Sequence, residues 1–334
     1  MLLLCGDIGG TKTLIQLVEV QTGKVAVVDE RRYASANYDQ FDLILAEFLS
    51  AQKHADEIGA ACFGVAGPVF DTPSSQHATI TNLPWQMDSA ELGSRFDLPH
   101  VALINDFQAV GYGISALTPA DFVNLQSGNP VEHGNQLVVG AGTGLGVAQM
   151  IWTGKTYKVM PTEGGHADFA PADALQLKLA DYLIRQQGRG SIESVLSGPG
   201  IVNIYSFLTE LNQQQNSETH LAIIQSDDPA AAIAAAAEAD HSSLAYQAMV
   251  LFVQAYGGQA GNFALSCLAL GGVYIAGGIA PKILHHLRGG QFIETFNAKG
   301  KMSHLMRRIP VSVITNPNVG LIGSRVHAQN IANL

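Results

Sequence analysis

One pattern occurs twice in this chain, and nothing else in it constrains the fold as strongly. Leu3-Leu4-Cys5-Gly6-Asp7-Ile8-Gly9-Gly10-Thr11 is an apolar run that breaks into a Gly/Thr turn. Leu137-Val138-Val139-Gly140-Ala141-Gly142-Thr143-Gly144 does the same, and a second apolar run follows each copy. Those second runs also end alike, in Thr22-Gly23-Lys24 and Thr153-Gly154-Lys155. A repeat near half of 334 residues predicts two related α/β halves facing each other across a cleft. Taken alone, chance similarity of two glycine-rich hairpins explains it equally well. Length points the same way as the repeat, since a chain of this size outgrows a single core.

The elements around the repeat alternate in type. Leu2–Asp7, Thr13–Val20 and Val25–Tyr33 read as strands, with turns at Gly9-Gly10-Thr11 and Thr22-Gly23-Lys24. Phe41, Ile44, Leu45, Phe48 and Leu49 recur at helical spacing. Ile58–Val65 and Val101–Asn105 are further apolar strands, and Asp88 with Glu91 marks a helix start. The second half supplies helices over Ala172–Gln186, Ser197–Leu211, Pro229–Ala239 and Ser242–Leu268. A strand at Gly272–Ala276, a helix from near Pro281 and a closing helix over about Gly320–Ala332 complete it. Strands alternating with helices make the class α/β.

Composition narrows the chemistry. Hydrophobic residues make up 47% of the chain and charged residues 14%, which excludes a disordered chain. The net charge of −10 argues against nucleic acid and anionic membranes as partners. It also repels a nucleotide, so a phosphate site here has to be built locally, from backbone amides, a helix end or a metal. Glycine, 35 residues in all, is the place to look for one. Three scattered cysteines, Cys5, Cys62 and Cys267, form no CxxC motif and indicate neither a disulfide framework nor a structural zinc. No signal sequence or membrane span is legible, so the expected setting is the reducing cytoplasm.

Five constellations and one further carboxylate carry chemistry. In Gly6-Asp7-Ile8-Gly9-Gly10-Thr11-Lys12, adjacent glycines expose N–H groups to an anion, and Asp7 at the strand end can hold Mg²⁺ through water. A plain hairpin with a solvated Asp is the other reading. Gly140–Gly146 is denser in glycine than a turn requires, yet it is neither a P-loop nor a GxGxxG fingerprint. Two such hairpins on opposing halves can grip a triphosphate. Gly271–Gly278 flanks a strand with glycine pairs, where a flat ring such as adenine approaches closely, although tight packing explains it as well. Asn105-Asp106 ends a strand where α/β sheets bind ligands, suited to holding a sugar hydroxyl and taking its proton, or equally to capping a helix. Glu163-Gly164-Gly165-His166 sets a carboxylate and an imidazole around two glycines; one His and one Glu do not complete a metal site. Glu193 is a further hydroxyl acceptor or a surface residue.

In this order and over nearly the whole chain, GDIGGT (Gly6–Thr11), INDF (Ile104–Phe107), GAGTGLGVA (Gly140–Ala148), EGGHADFAP (Glu163–Pro171), VLSGPG (Val195–Gly200) and IAGGIAPK (Ile275–Lys282) resemble the bacterial ATP-dependent glucokinases. The resemblance implies the sugar kinase/Hsp70/actin fold, two duplicated ribonuclease-H-like α/β domains with a central cleft. The small domain would span 1–112 plus 317–334 and the large one 113–316. It implies Asp106 as the catalytic base, with Asn105, Glu163, His166 and Glu193 also holding the sugar. Asp7, Gly9, Gly10, Thr11, Gly142, Thr143 and Gly144 match the phosphate turns, with Asp7 reaching Mg²⁺ through water, and Gly277 and Gly278 match the adenosine motif. ATP and Mg²⁺ are the implied cofactors, glucose the implied acceptor at O6, and a homodimer the implied assembly. Lys12 stands where close relatives often carry Asn and is given no role. No cysteine-rich zinc motif of the repressor/kinase branch is present. The alternatives are another hexose kinase, accepting mannose, fructose or an amino sugar, or a non-catalytic sugar-sensing regulator.

Overall fold

A computed structural model of the chain describes residues 1–21, 24–215 and 217–332. Thr22 and Gly23 of the expected second turn lie outside the described residues. The chain divides into two units, Met1–Thr118 with Asn316–Leu334, and Pro119–Thr315.

The first unit is built on a sheet with apolar side chains on both faces. Its strands are β1 (Leu2–Ile8), β2 (Lys12–Gln21) and β3 (Lys24–Ala34), an antiparallel meander. Helix α1 (Phe41–Ser50) then precedes β4 (Ile58–Val65), which pairs parallel to β1. A small separate sheet of β5 (Val69–Asp71), β6 (Gln76–Thr79) and β7 (Gln86–Asp88) leads into α2 (Ser89–Phe96). Asp88 caps α2 by accepting from the N–H groups of Ala90 and Glu91. Next, β8 (Val101–Asn105) pairs parallel to β4 and runs directly into α3 (Asp106–Gly113). The main sheet order is therefore β3-β2-β1-β4-β8.

Side-chain alternation divides the core of this unit. Leu4 and Ile8 face α1, whose Phe41, Ile44, Leu45 and Phe48 are fully buried. At roughly 1.5–3 kcal/mol per large apolar side chain, that stripe is the main reason the helix forms. Leu3 and Cys5 face the other way, toward Ala109 of α3 and Leu321 and Ala328 of the closing helix. Ser324 on that helix donates to the Gly6 carbonyl (2.9 Å) and accepts from the Gly64 N–H (3.2 Å), tying the chain's end to β1 and β4. The outermost strand, β3, carries Asp29, Glu30, Arg31 and Arg32, charges that discourage pairing with another chain.

The second unit repeats the plan. It opens with β9 (Phe122–Gln126), followed by the meander β10 (Gln136–Ala141), β11 (Leu145–Trp152) and β12 (Tyr157–Thr162). Helices α4 (Ala174–Gln187), α5 (Gly198–Leu211), α6 (Glu218–Ile224), α7 (Pro229–Ala239) and α8 (Leu244–Cys267) come next. After β13 (Gly272–Ala276) the chain forms α9 (Leu284–Arg288), α10 (Gln291–Asn297), α11 (Ser303–Met306) and β14 (Val311–Ile314). The closing helix, α12 (Val319–Ile331), belongs to the first unit. Sheet order is β12-β11-β10-β13-β14-β9, with β13 and β14 parallel to β10 and β9 antiparallel at the edge. Leaving β9 aside, both sheets are a three-stranded antiparallel meander extended by two parallel strands. The repeated hairpin of the sequence is thus a repeated topology, the duplicated ribonuclease-H-like plan of the actin-like fold.

Several elements escape a reading by periodicity. β9, β12, β14 and the three strands of the small sheet are short, and β12 contains Pro161, tolerated because β12 is an edge strand. The helix expected from near Pro281 begins at Leu284, after a run of turns. Among the described residues, no helix is long and apolar enough to cross a membrane.

Candidate active site

In the first unit, the β1–β2 turn is held open from below. The Gly9 N–H donates to the Lys12 carbonyl (3.0 Å), and Ser35 braces the turn by donating its hydroxyl to the Gly9 carbonyl (2.7 Å) and its N–H to Thr11 (3.2 Å). The N–H groups of Gly10 and Thr11 meet no partner among the described residues. They are the donors an anion needs. Asp7 sits half-buried at the end of β1, and no hydrogen bond reaches its carboxylate among the described residues. Burial pushes its pKa above the usual carboxylate value, and the Lys12 ammonium partly offsets that. Lys12, left without a role by sequence, thus acts on Asp7 through its charge.

The Asn105-Asp106 pair occupies the junction of β8 and α3. Asn105 is the N-cap, its Oδ1 accepting from the N–H groups of Phe107 (2.9 Å) and Gln108 (3.4 Å), while its Nδ2 donates to the Gly67 carbonyl (3.1 Å). Capping and site were offered as alternatives by the sequence; the cap is real, and one amide proton of Asn105 is left over for a ligand. Asp106 is the first helical residue, half-buried, with Oδ1 accepting from the Phe107 N–H (2.9 Å).

In the second unit, the β10–β11 turn and the hydroxyl-reading candidates form one structure. Glu193 Oε2 accepts from the Leu145 N–H (2.8 Å), the first residue after the glycine turn. The segment before it is pinned to the Gly164–His166 turn by the bond from the Glu193 N–H to the Gly165 carbonyl (2.9 Å). His166 then lies between two carboxylates: its Nδ1 is 3.9 Å from Glu193 Oε1 and its Nε2 is 3.9 Å from Glu163 Oε2. Both separations are too long for direct hydrogen bonds. Three polar ends therefore converge without hydrogen-bonding one another, and all three reach solvent. A Cβ at Gly144 would sit 2.5 Å from Glu193 Oε2, so any side chain there displaces that carboxylate. The N–H groups of Thr143 and Gly144, like those of Gly10 and Thr11, meet no partner among the described residues.

Beside that turn lies a cavity of about 500 Å³, wholly within the second unit. Its walls include Gly142 and Thr143, the N-terminal turns of α5 and α7, and the segment from Gly278 to Ile283. Ser197 caps α5, and the Gly198 N–H donates to the Gly142 carbonyl (2.8 Å), so a helix N-terminus points at the turn. Of the two glycines assigned to adenosine, Gly278 lines the cavity. Gly277 instead has φ +83° and would drive a Cβ to 2.3 Å from the Ala141 carbonyl oxygen, so it closes β13 against β10.

Comparison with known proteins supplies the family. The glucokinase family model matches residues 4–331. A glucokinase of Nostoc punctiforme is 43% identical over 99% of both chains.

The chain belongs to the glucokinase family.

The crystal structure of a glucokinase from an Antarctic psychrotroph superposes with a TM-score of 0.85 at 30% identity, covering 98% of this chain and 99% of that one. A glucokinase of the ROK family from Streptomyces griseus, solved with glucose and AMPPNP, shares the fold with a TM-score of 0.64 at 19% identity, over 99% of this chain and 100% of that one. For a glucokinase-family chain, the residues that sequence reasoning passed over are the cavity walls. Gly198, Pro199 and Lys282 stood inside quoted motifs without a role, and Asp228, which caps α7 by accepting from the Ala231 N–H, was not singled out. The signal was present in Ser197-Gly198-Pro199-Gly200, a cap followed by proline and glycine at a helix start that exposes backbone N–H groups.

Proposed function

We propose that this member of the glucokinase family transfers the γ-phosphoryl group of ATP to O6 of glucose, giving glucose 6-phosphate and ADP at the entry to glycolysis. One observation carries the reading: Glu163, His166 and Glu193 converge without hydrogen-bonding one another, and Glu193 also holds the N–H that follows the glycine turn. Sugar recognition and the phosphate turn thus share a side chain. A cluster of acceptors and an imidazole reads a polyol, because an analogue lacking a hydroxyl leaves a polar group unpaired. The 500 Å³ cavity beside the turn is the place for the nucleoside, with the unpartnered N–H groups of Thr143 and Gly144 directed to phosphate oxygens.

Asp106 accepts the O6 proton as the new bond forms. A loose phosphoryl-transfer transition state asks little of the base beyond hydrogen-bond reach, so an ordinary carboxylate suffices. Gly10 and Thr11 offer two further N–H donors for phosphate charge. Asp7, a desolvated carboxylate that no hydrogen-bond donor reaches among the described residues, fits the role of anchoring hydrated Mg²⁺, which neutralises phosphate charge when bound. A cytoplasmic homodimer belongs to the same proposal, resting on family membership; light scattering and cell fractionation test it.

A coupled assay with glucose and ATP, omitting each in turn, tests the reaction. Asp106→Asn separates chemistry from binding: kcat falls by about a hundredfold or more, while glucose affinity by calorimetry largely survives. Near-normal turnover in that variant sinks the assignment of the base.

A further inference from the structure

We propose that Glu238, His285 and His286 form a binding site for a transition-metal dication, Zn²⁺ foremost. Glu238 is in the last turn of α7, and the two histidines are in α9. Their ligand atoms all lie within 4.8 Å of one another. Glu238 Oε1 is 2.6 Å from His285 Nε2 and 3.0 Å from His286 Nε2, and the two imidazoles stand 4.1 Å apart.

The two histidines meet the carboxylate differently. His285 Nε2 makes a hydrogen bond to Glu238. His286 Nε2 is buried 3.0 Å from the same carboxylate and is not aligned for one, so this polar atom has no hydrogen-bond partner among the described residues. A buried ring nitrogen facing a carboxylate without an aligned hydrogen bond is costly for a closed core, and a dication that replaces the proton between them relieves that cost. Glu238 and His285 are each about half exposed, at 51% and 55%, so an ion enters from solvent and water completes its shell.

The donor set selects the metal. Two imidazoles and one carboxylate suit Zn²⁺, Ni²⁺ or Cu²⁺, whereas Mg²⁺ and Ca²⁺ demand oxygens. Tetrahedral Zn²⁺ with bonds of about 2.0–2.1 Å spaces its donors by about 3.3 Å, so Glu238 Oε1 has to draw back by about 0.3 Å from His286 Nε2 and about 0.7 Å from His285 Nε2. His241 is close enough for its charge to act on both Glu238 and His286, and its ring stacks on Tyr246 4.6 Å away. An ion here ties the end of α7 to α9. The other end of α7, at Ala230, and the segment before α9, at Lys282, are walls of the cavity described above. The site lies outside the residues assigned to sugar and phosphate and does not rest on that assignment.

The experiment is a titration of tag-free protein with Co²⁺, read by visible absorption, and with Zn²⁺, read by calorimetry and by the thermal unfolding midpoint. The wild type binds one equivalent, shows ligand-field bands of a four-coordinate site, and unfolds at a higher temperature with Zn²⁺. Mg²⁺ in excess does not displace the ion. His285→Ala and Glu238→Gln, both at half-exposed positions that the fold tolerates, lose about a hundredfold or more in affinity. His54→Ala, at a surface histidine paired with Glu57, changes nothing. Absence of the cobalt bands in the wild type, equal affinity in His285→Ala, or a comparable loss in His54→Ala overturns the proposal.

Discussion

Asp7 shows how one residue sets a stability cost and a function against each other. Its folded-state pKa is raised by burial, so the folded chain prefers the neutral acid. The sign follows: protonated Asp7 favours folding at low pH, and that contribution is lost as pH rises through the folded-state pKa. At neutral pH the ionised carboxylate is a burden on the fold. Asp7→Asn removes the burden and the charge together. Its unfolding midpoint at pH 7 is therefore no lower than that of the wild type, while kcat with MgATP drops by about a hundredfold or more. Calorimetry beside steady-state kinetics checks both; a clearly lower midpoint with retained activity contradicts the account. Wild-type activity should fall on the acid side as Asp7 protonates, at a higher pH than an ordinary aspartate would require. Asn105 makes a related point about reading residues. Helix caps and ligand contacts use the same atoms, so sequence left the two open, and only the bonds to Phe107, Gln108 and Gly67 display how much of the side chain is spent.

At the scale of elements, the β10–β11 turn and the segment carrying Glu193 act as one piece. Their coupling runs through the bond from the Leu145 N–H to Glu193 Oε2 and through the space above Gly144. Gly144→Ala puts a methyl group 2.5 Å from that oxygen, and Glu193 has to swing away. Loss of a charge-assisted bond costs about 1.5–3 kcal/mol. A share of about 1.4 kcal/mol felt at the sugar site raises the KM for glucose about tenfold. Kinetics with each substrate varied in turn will show it; an increase confined to the KM for ATP refutes the coupling. Glu193 itself was legible only as a candidate acceptor. It lies 48 residues from Leu145 in the chain, and no local pattern joins them. The hairpins were legible because strand alternation and Gly/Thr turns are local. β12 and β14 were not, being short strands whose pairing is decided by the sheet they join.

For the whole molecule, the net charge of −10 becomes a testable property. Nucleotide binding by backbone N–H groups and helix ends within a negative field is opposed by long-range repulsion, which salt screens. Raising ionic strength from about 10 to 150 mM with an inert salt shortens the Debye length from about 30 to 8 Å. The KM for MgATP should then fall or stay level. A steep rise identifies a basic patch that the reading does not contain.

The amino-acid order alone carried the duplication, the α/β class and the chemistry of each turn, because these depend on periodicity, turn propensity and residue type over short windows. The resemblance to one kinase family came from six motifs in order along the chain. Tertiary structure decided which of those residues cooperate. It bound Glu193 to Leu145, set His166 between Glu163 and Glu193, separated Gly277 from the cavity that Gly278 lines, and brought Glu238 to a pair of histidines 47 residues away. Those juxtapositions depend on long-range closure of the sheet and helices, which no window of local sequence contains.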